Sequence, residues 1–433
     1  MSHPASAATL TPVVPERRGH LFTLALLAVT IASASAMRIV FSPLQEIVAQ
    51  DLRFTDLQIS LIQGVAASLP VALLSIPIGR MTDRGNRARL LLTLSVLWTA
   101  GALLTVFAVD FWQMFFARTL ASIGAMCALT VAISMAADLT TADTRGRSLL
   151  ALALGNTVGA AAAFALGGGL LGVYAHAPPM LSGLAPWRSV FFIFAMASVV
   201  LTIALLTLRD PPRQETSGTD TALRTALREL WRRRALLAPL FLGQVTVIMA
   251  DTAASIWAAP VLSRNYGLQP DEFAGWMGLV MIAAGVLGAA FGGLSADFGH
   301  KSRLKGGILI GAVIAALLSI PGAFFPIMPD ATGFALMLAL LLTCGAATGL
   351  VTAAAIAVLV PNDIRGVCLG AFIVIGAIIG FGLAPVLVTA ISDAIGGAES
   401  VRYALAGTGA VTSVLAAIAF LLAMRAAARD AGA

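Results

Sequence analysis

Twelve apolar runs, each long enough to cross a membrane as a helix, leave few folds open to this chain. They lie near 21–47, 57–79, 89–109, 112–137, 148–174 and 187–208, then near 237–262, 273–295, 304–326, 332–360, 367–391 and 401–425. A hydrocarbon core of about 30 Å takes about 20 helical residues per crossing. Helices are the expected form, because an open sheet would leave backbone polar groups unpaired in lipid. Composition points the same way: 59% of the residues are hydrophobic and 11% charged, against about 25% charged in soluble domains. The mean hydropathy is +0.93. The expected fold class is an all-α integral membrane protein, with twelve transmembrane helices in two six-helix bundles. Its expected divisions are a cytoplasmic tail at 1–20, a bundle at 21–208, a cytoplasmic linker at 209–236, a bundle at 237–425 and a cytoplasmic tail at 426–433.

The basic residues follow topology. A net charge of +6 and an isoelectric point near 9.9 would also suit nucleic-acid binding. If the first run crosses from inside to outside, however, 21 of the 27 Lys and Arg residues fall on the inner side. Arg53, Arg188, Arg264 and Arg402 fall on the outer side. This is the positive-inside bias. It places both termini in the cytoplasm, suits a bacterial inner (plasma) membrane, and leaves no case for a nucleic-acid partner.

Arg17 and Arg18, the run after them and "SASAM" at 33–37 match a cleavable signal peptide only weakly. Cleavage would also break the internal repeat described below, so the first span is expected to stay. Cys127, Cys344 and Cys368 lie in or beside apolar runs without ligand-like spacing, so neither a disulfide framework nor a metal site is expected. In the stretch between the sixth and seventh runs, Pro211 and Pro212 end a helix. From 221 onward the pattern suits a short basic amphipathic helix on an anionic leaflet, and a plain linker fits equally.

The two halves of the sequence echo each other. Shifted by 214 residues, Gly79, Asp83, Gly85, Arg87, Arg89 and Leu90 fall on Gly293, Asp297, Gly299, Lys301, Arg303 and Leu304. Shifted by 220, "DTRG" at 143–146 falls on "DIRG" at 363–366. Each pair occupies equivalent inner loops of its half. Repeated halves are a mark of secondary transporters.

These residues resemble the major facilitator superfamily. "GRMTDRGNRARLL" at 79–91 is similar to that family's loop motif, with Asn86 where a glycine is usual and Ala88 in place of a basic residue. "RTLASIG" from Arg118, "WRSVFF" from Trp187 and "DPPR" from Asp210 add to the resemblance. It implies a latch at the cytoplasmic gate, formed from Gly79, Asp83, Arg84, Arg87, Asp138, Gly293, Asp297 and Lys301. Asp83, at a helix terminus, is placed to meet the positive end of a helix from the other half. Arg84 needs an acid, and Asp138 is the candidate. Their counterparts are Phe298 and Val358, so both members of that pair are missing together from the second half.

A finer resemblance is to the Spinster-like branch. "SPLQEIVAQDLRFTDLQISLIQG" at 42–64 and "IWAAPVLSRNYGL" at 256–268 carry it. That branch usually has Asp-Arg in the first helix and Gly-Glu in the fourth. This chain has Met37-Arg38 and Gly124-Ala125, so the acids that the resemblance links with proton coupling are absent.

Ionisable residues inside a membrane are costly and mark function by default. Arg38 and Arg118 are the bases well inside spans, and Asp251 is the mid-span acid. Met37 shifted by 214 lands on Asp251, so Arg38 and Asp251 occupy pseudo-symmetric depths in the first and seventh helices. They form either a cavity pair for substrate and charge coupling or a fixed structural bridge. Ser42 and Glu46 share the Arg38 face at helical spacing, and Glu46 is expected to reach toward the outer interface. Arg118 either couples charges or holds backbone carbonyls of the fourth helix. Gln63, Asn156, Gln244 and Trp257 complete the candidates for substrate binding or coupling, although a buried amide often only joins helices. Gly155, Gly159, Ala163 and Gly167 form a small-residue stripe suited to close packing.

The expected function is secondary active transport of a small amphipathic or anionic molecule by alternating access. The alternatives are a proton-driven multidrug or lysolipid exporter, or a membrane sensor that keeps the fold without transport. No phosphate loop of the form G-x-x-x-x-G-K-[ST] is present, and no catalytic constellation argues for an enzyme. The expected partners are a small-molecule substrate and membrane lipids, with a coupling proton taken up at Asp251 if transport is proton-coupled. A monomer without cofactors is expected.

Overall fold

The computed structural model describes residues 17–176, 184–213, 223–301 and 306–430. Twelve of its helices are long and apolar enough to cross a membrane. In the first half they are His20–Leu52, Asp56–Arg84, Arg87–Phe107, Phe111–Leu139, Thr144–Ala175 and Pro186–Leu205. In the second half they are Arg234–Asn265, Pro270–Gly299, Gly307–Ile327, Ala331–Leu359, Ile364–Ile395 and Gly397–Arg429. Each expected run has its helix. Between the halves, Leu223–Arg232 forms a short helix of its own, where the sequence left an amphipathic helix and a plain linker equally open. Arg303 and Leu304, and the side chains of Asp143 and Asp363, lie outside the described residues.

Short polar caps set where spans begin. The Asp110 carboxylate accepts the Gln113 backbone N–H at 2.9 Å, and Asp330 accepts that of Gly333 at 2.6 Å. Each satisfies one of the N–H groups that a helix start leaves unpaired. The two caps are 220 residues apart, the offset of the second echo, so the repeat reaches the far ends of the fourth and tenth spans. Asn86 accepts from the Arg89 backbone N–H at 2.8 Å, which starts the third span immediately after the second has ended.

Proline and glycine decide where helices depart from regularity and how closely they approach. In the first span the regular helix stops at Ile39 and resumes at Phe41, just before Pro43, which has no N–H to offer the preceding turn. Within the first bundle, a Cβ on Gly155 would lie 2.6 Å from the Ala28 carbonyl oxygen, and one on Gly159 would lie 2.5 Å from the Ala32 Cα. The small-residue stripe of the fifth span therefore packs against the first span. A different face of the same helix meets the second bundle: a Cβ on Gly168 would lie 2.6 Å from the Pro270 carbonyl oxygen. The second and eleventh spans also cross closely, and a Cβ on Gly64 would lie 2.6 Å from Pro385 Cγ. Both helices widen to π-helical turns at this crossing, over Leu61–Val65 and Gly376–Leu383.

Candidate functional site

The central site starts from the interruption in the first span. Arg118, on the fourth span, sends its guanidinium to the carbonyl oxygens of Met37 at 3.0 Å and Arg38 at 2.9 Å. It also stacks on the Phe41 ring at 5.1 Å. Arg118 thus holds backbone carbonyls of the first helix, where the sequence suggested those of its own. The neighbouring Arg38 side chain is left facing a cavity of about 270 Å³, together with Ser42, Gln63, Arg118 and Asp251. Met126, Ile248 and Phe381 supply apolar wall around these polar groups.

Four of the eight candidate binding or coupling residues therefore meet at one cavity. No ion pair joins Arg38 to Asp251, and among the described residues the Arg38 guanidinium has no hydrogen-bond or ion-pair partner. One carboxylate oxygen of Asp251 is buried without a hydrogen bond. The other four candidates sit elsewhere. Gln244 accepts a hydrogen bond from the Thr352 hydroxyl at 3.0 Å inside the second bundle. Trp257 is fully buried in an apolar cluster of the second bundle that Ile39, Ala160 and Phe164 of the first bundle join. Asn156 lies on the fifth span and does not line the cavity. Glu46 does not simply reach toward an interface; it pairs with Arg264.

That pairing joins the halves. Arg264, at the end of the seventh span, contacts Glu46 at 2.9 Å and Asp56 at 2.8 Å, and all three side chains are mostly buried. Its two terminal nitrogens hold both Asp56 oxygens, a two-pronged contact that fixes the guanidinium plane. Nearby, the Gln45 amide donates to the Ile256 carbonyl oxygen at 2.6 Å and accepts from Gln63. The Ser60 hydroxyl meets the Pro385 carbonyl oxygen at 2.9 Å and the Thr389 hydroxyl at 3.0 Å. These bridges gather at the face opposite the linker and join the two bundles there. Sequence reasoning noted Arg264 only as one of four charges on that side and gave Gln45 and Asp56 no role. An arginine at the end of the seventh span, the first charge after Asp251, was the available signal.

At the linker face the arrangement differs from the expected pair. Asp138 is held by Arg87, not by Arg84. Arg87 also reaches Asp210 at 2.9 Å, and the Pro211 carbonyl oxygen at 2.7 Å. Arg84 is the last residue of the second span and points to the exterior, whereas Arg87 opens the third span and is 1% exposed. The two-residue turn between them rotates one arginine out and the other in. Arg213 then ties the chain after the sixth span to the Thr82 and Gly85 carbonyl oxygens at 2.9 and 2.8 Å. All these contacts stay within the first bundle and the start of the linker that follows it. Asp83, Asp297 and Lys301 are exposed, and a Cβ on Gly79 would meet nothing within 4 Å. Gly293 has only Leu350 nearby, at 3.8 Å.

Residues 26–372 match the family model of the Major Facilitator Superfamily. The chain belongs to the major facilitator superfamily. Among solved structures this superfamily member is similar to a bacterial homologue of the human lysosomal transporter Spinster in an inward-facing, unoccupied conformation. The two are 21% identical with a TM-score of 0.78, over 95% of this chain and 97% of that one. The nucleoside transporter NupG is 16% identical, with a TM-score of 0.68, over 93% of this chain and 99% of that one. The Escherichia coli fucose:proton symporter FucP is 16% identical, with a TM-score of 0.58, over 92% and 99%. At these identities the likeness is one of fold. The protein is a secondary transporter, not an enzyme, and an integral membrane protein of twelve spans.

Proposed function

We propose that this transporter carries a small organic anion, with a carboxylate or phosphate head on an apolar body, and that Arg38 receives the head. The observation that supports this reading is the contrast between its two cavity arginines. Arg118 is committed to the first-span carbonyls, while Arg38 faces the cavity without a protein partner. An arginine near the membrane centre costs about 2.5–3.5 kcal/mol on insertion scales, and an anionic ligand offsets that cost directly. Met126, Ile248 and Phe381 offer the apolar body of the ligand a matching surface.

Asp251 completes the cycle as the coupling group. Ionised and free, it would compete with the substrate for Arg38; neutralised by a cation, it leaves Arg38 to the substrate. Transport follows alternating access between the two bundles, with the linker face cytoplasmic as the positive-inside bias requires. Gly79, Asp83, Gly293, Asp297 and Lys301 then belong to the cytoplasmic gate, which is open when the opposite face is closed. Arg87, Asp138 and Asp210 brace the first-bundle side of that gate.

The test is a thermal-stabilisation screen of purified protein against organic acids, lysolipids and cationic drugs, with Arg38→Ala measured alongside. Acidic ligands should stabilise the wild type and lose at least about tenfold in affinity in the variant, the equivalent of one charged contact. Stabilisation by cationic or neutral amphiphiles alone, indifferent to Arg38, would refute the anion reading.

A further inference from the structure

Behind the seventh span, within the second bundle, lies a smaller pocket that the transport reading does not use. Asp251, Ser319, Cys344, Gly345, Thr348 and Ser413 line it, from the seventh, ninth, tenth and twelfth spans. It leaves no room for a water molecule. The Asp251 carboxylate sits on the bare Cα of Gly345: a Cβ there would lie 2.5 Å from the carboxyl carbon and 2.6 Å from one oxygen. The glycine thus lets the acid settle into the second bundle instead of reaching across the cavity to Arg38.

The hydroxyls around it are arranged to accept. The Thr348 hydroxyl donates its proton to the Gly345 carbonyl oxygen at 2.9 Å, and Ser319 donates to that of Ala316 at 2.8 Å. What both can offer the pocket is lone pairs. The Ser413 hydroxyl is 1% exposed and has no partner, and one Asp251 oxygen is likewise unpaired. Burying a polar atom without a partner costs its full desolvation. Two such atoms converging on one pocket call for an occupant that both can bind.

We propose that this pocket is a sodium site, separate from the substrate cavity, in which Asp251 and the hydroxyls of Ser319, Thr348 and Ser413 ligate a dehydrated ion. Hard cations take oxygen ligands from carboxylates and neutral oxygens, and a single carboxylate balances a single positive charge. A proton would occupy one Asp251 oxygen and make no use of the lone pairs that Ser319 and Thr348 can offer the pocket. A bare sodium ion is smaller than the water molecule that the space excludes. The groups with charge or titration facing Asp251 are Arg38 and Arg118 across the cavity and Cys344 beside it. Neither arginine bonds it. The site itself does not depend on the anion reading, but its consequence does. Sodium holding Asp251 in the Gly345 notch frees Arg38 for the substrate, and linkage requires substrate to tighten sodium binding by the same factor.

The experiment is a thermal-stability titration of the purified, substrate-free protein with sodium chloride against potassium chloride at constant ionic strength and pH. Sodium alone should stabilise the wild type, with saturation. Ser413→Ala removes a ligand whose hydroxyl bonds nothing, so it should fold as well as the wild type and raise the half-saturating sodium concentration about tenfold. Gly345→Ala pushes the carboxylate out and should abolish the sodium effect; if that variant misfolds, Ser413→Ala still decides. Equal effects of sodium and potassium, or an unchanged sodium response in Ser413→Ala, overturn the proposal. So does stabilisation that follows pH with no dependence on sodium, which would return the site to a proton. Arg38→Ala should keep the sodium response, so failure of the anion reading leaves this result standing.

Discussion

At the residue scale, two arginines of one cavity do different work, and the difference is measurable. Arg118 satisfies two carbonyls at the interruption of the first span, whereas Arg38 satisfies none. Arg118→Lys replaces a planar fork by a single ammonium that cannot hold both oxygens in that geometry. One carbonyl is left unpaired, at a cost of about 1–3 kcal/mol. Thermal unfolding in a fixed detergent should therefore place Arg118→Lys well below the wild type and Arg38→Ala near it. Equal losses in the two variants would refute the division of roles. Inventory alone found both arginines and Asp251, because few ionisable residues lie in an otherwise apolar interior. It could not separate their roles, which depend on which way each guanidinium turns around a break near Pro43. The same limit explains the misassigned latch: Arg84 and Arg87 are three residues apart, and only the turn at Asn86 decides which one faces Asp138. Polarity and depth alone suggest Gln244 and Trp257 for the cavity. The seventh span buries most of its circumference, so depth says little about which side a residue faces.

At the element scale, the twelve spans were legible because a membrane demands length and apolarity before any packing detail. What the sequence carried less clearly was the partner of each helix face. The fifth span's stripe of small residues announces close packing, but only the fold identifies its neighbour as the first span. A Cβ on Gly159 would press on the Ala32 backbone, while one on Gly169, further along the same helix, would meet nothing within 4 Å. Gly159→Ala should therefore force the two helices apart and lower stability by about 1–3 kcal/mol. Gly169→Ala, which only replaces a flexible residue in a helix interior, should be neutral or stabilising by up to about 1 kcal/mol. Thermal unfolding of the two variants side by side checks this; similar losses in both would mean that helix propensity and not the close approach governs the stripe. The π-helical turns at Gly64 and Gly380 had no such announcement. They arise where the second and eleventh spans cross near Pro385, a relation between residues more than 300 positions apart.

At the scale of the whole molecule, the charges that join the bundles oppose opening of the face away from the linker. Arg264 belongs to the second half and its two acids to the first, so opening that face must separate them. The three side chains are 15–20% exposed, and their partial contact with water brings the cost of separation below the 3–5 kcal/mol of a fully buried pair. About 1–3 kcal/mol remains, enough to shift a two-state population by roughly 5- to 150-fold. Arg264→Ala should move the resting distribution toward the state open on that face. Spin labels or fluorophores on the loops after the first and seventh spans, such as at Arg53 and Gly267, would report the change as a longer distance. Glu46→Gln should give a smaller shift in the same direction, because the contact with Asp56 survives it. A distance distribution unchanged in Arg264→Ala would show that the Ser60–Pro385 and Gln45–Ile256 contacts close the face without the ion pair. Sodium and substrate would then act on a gate made of helix packing alone.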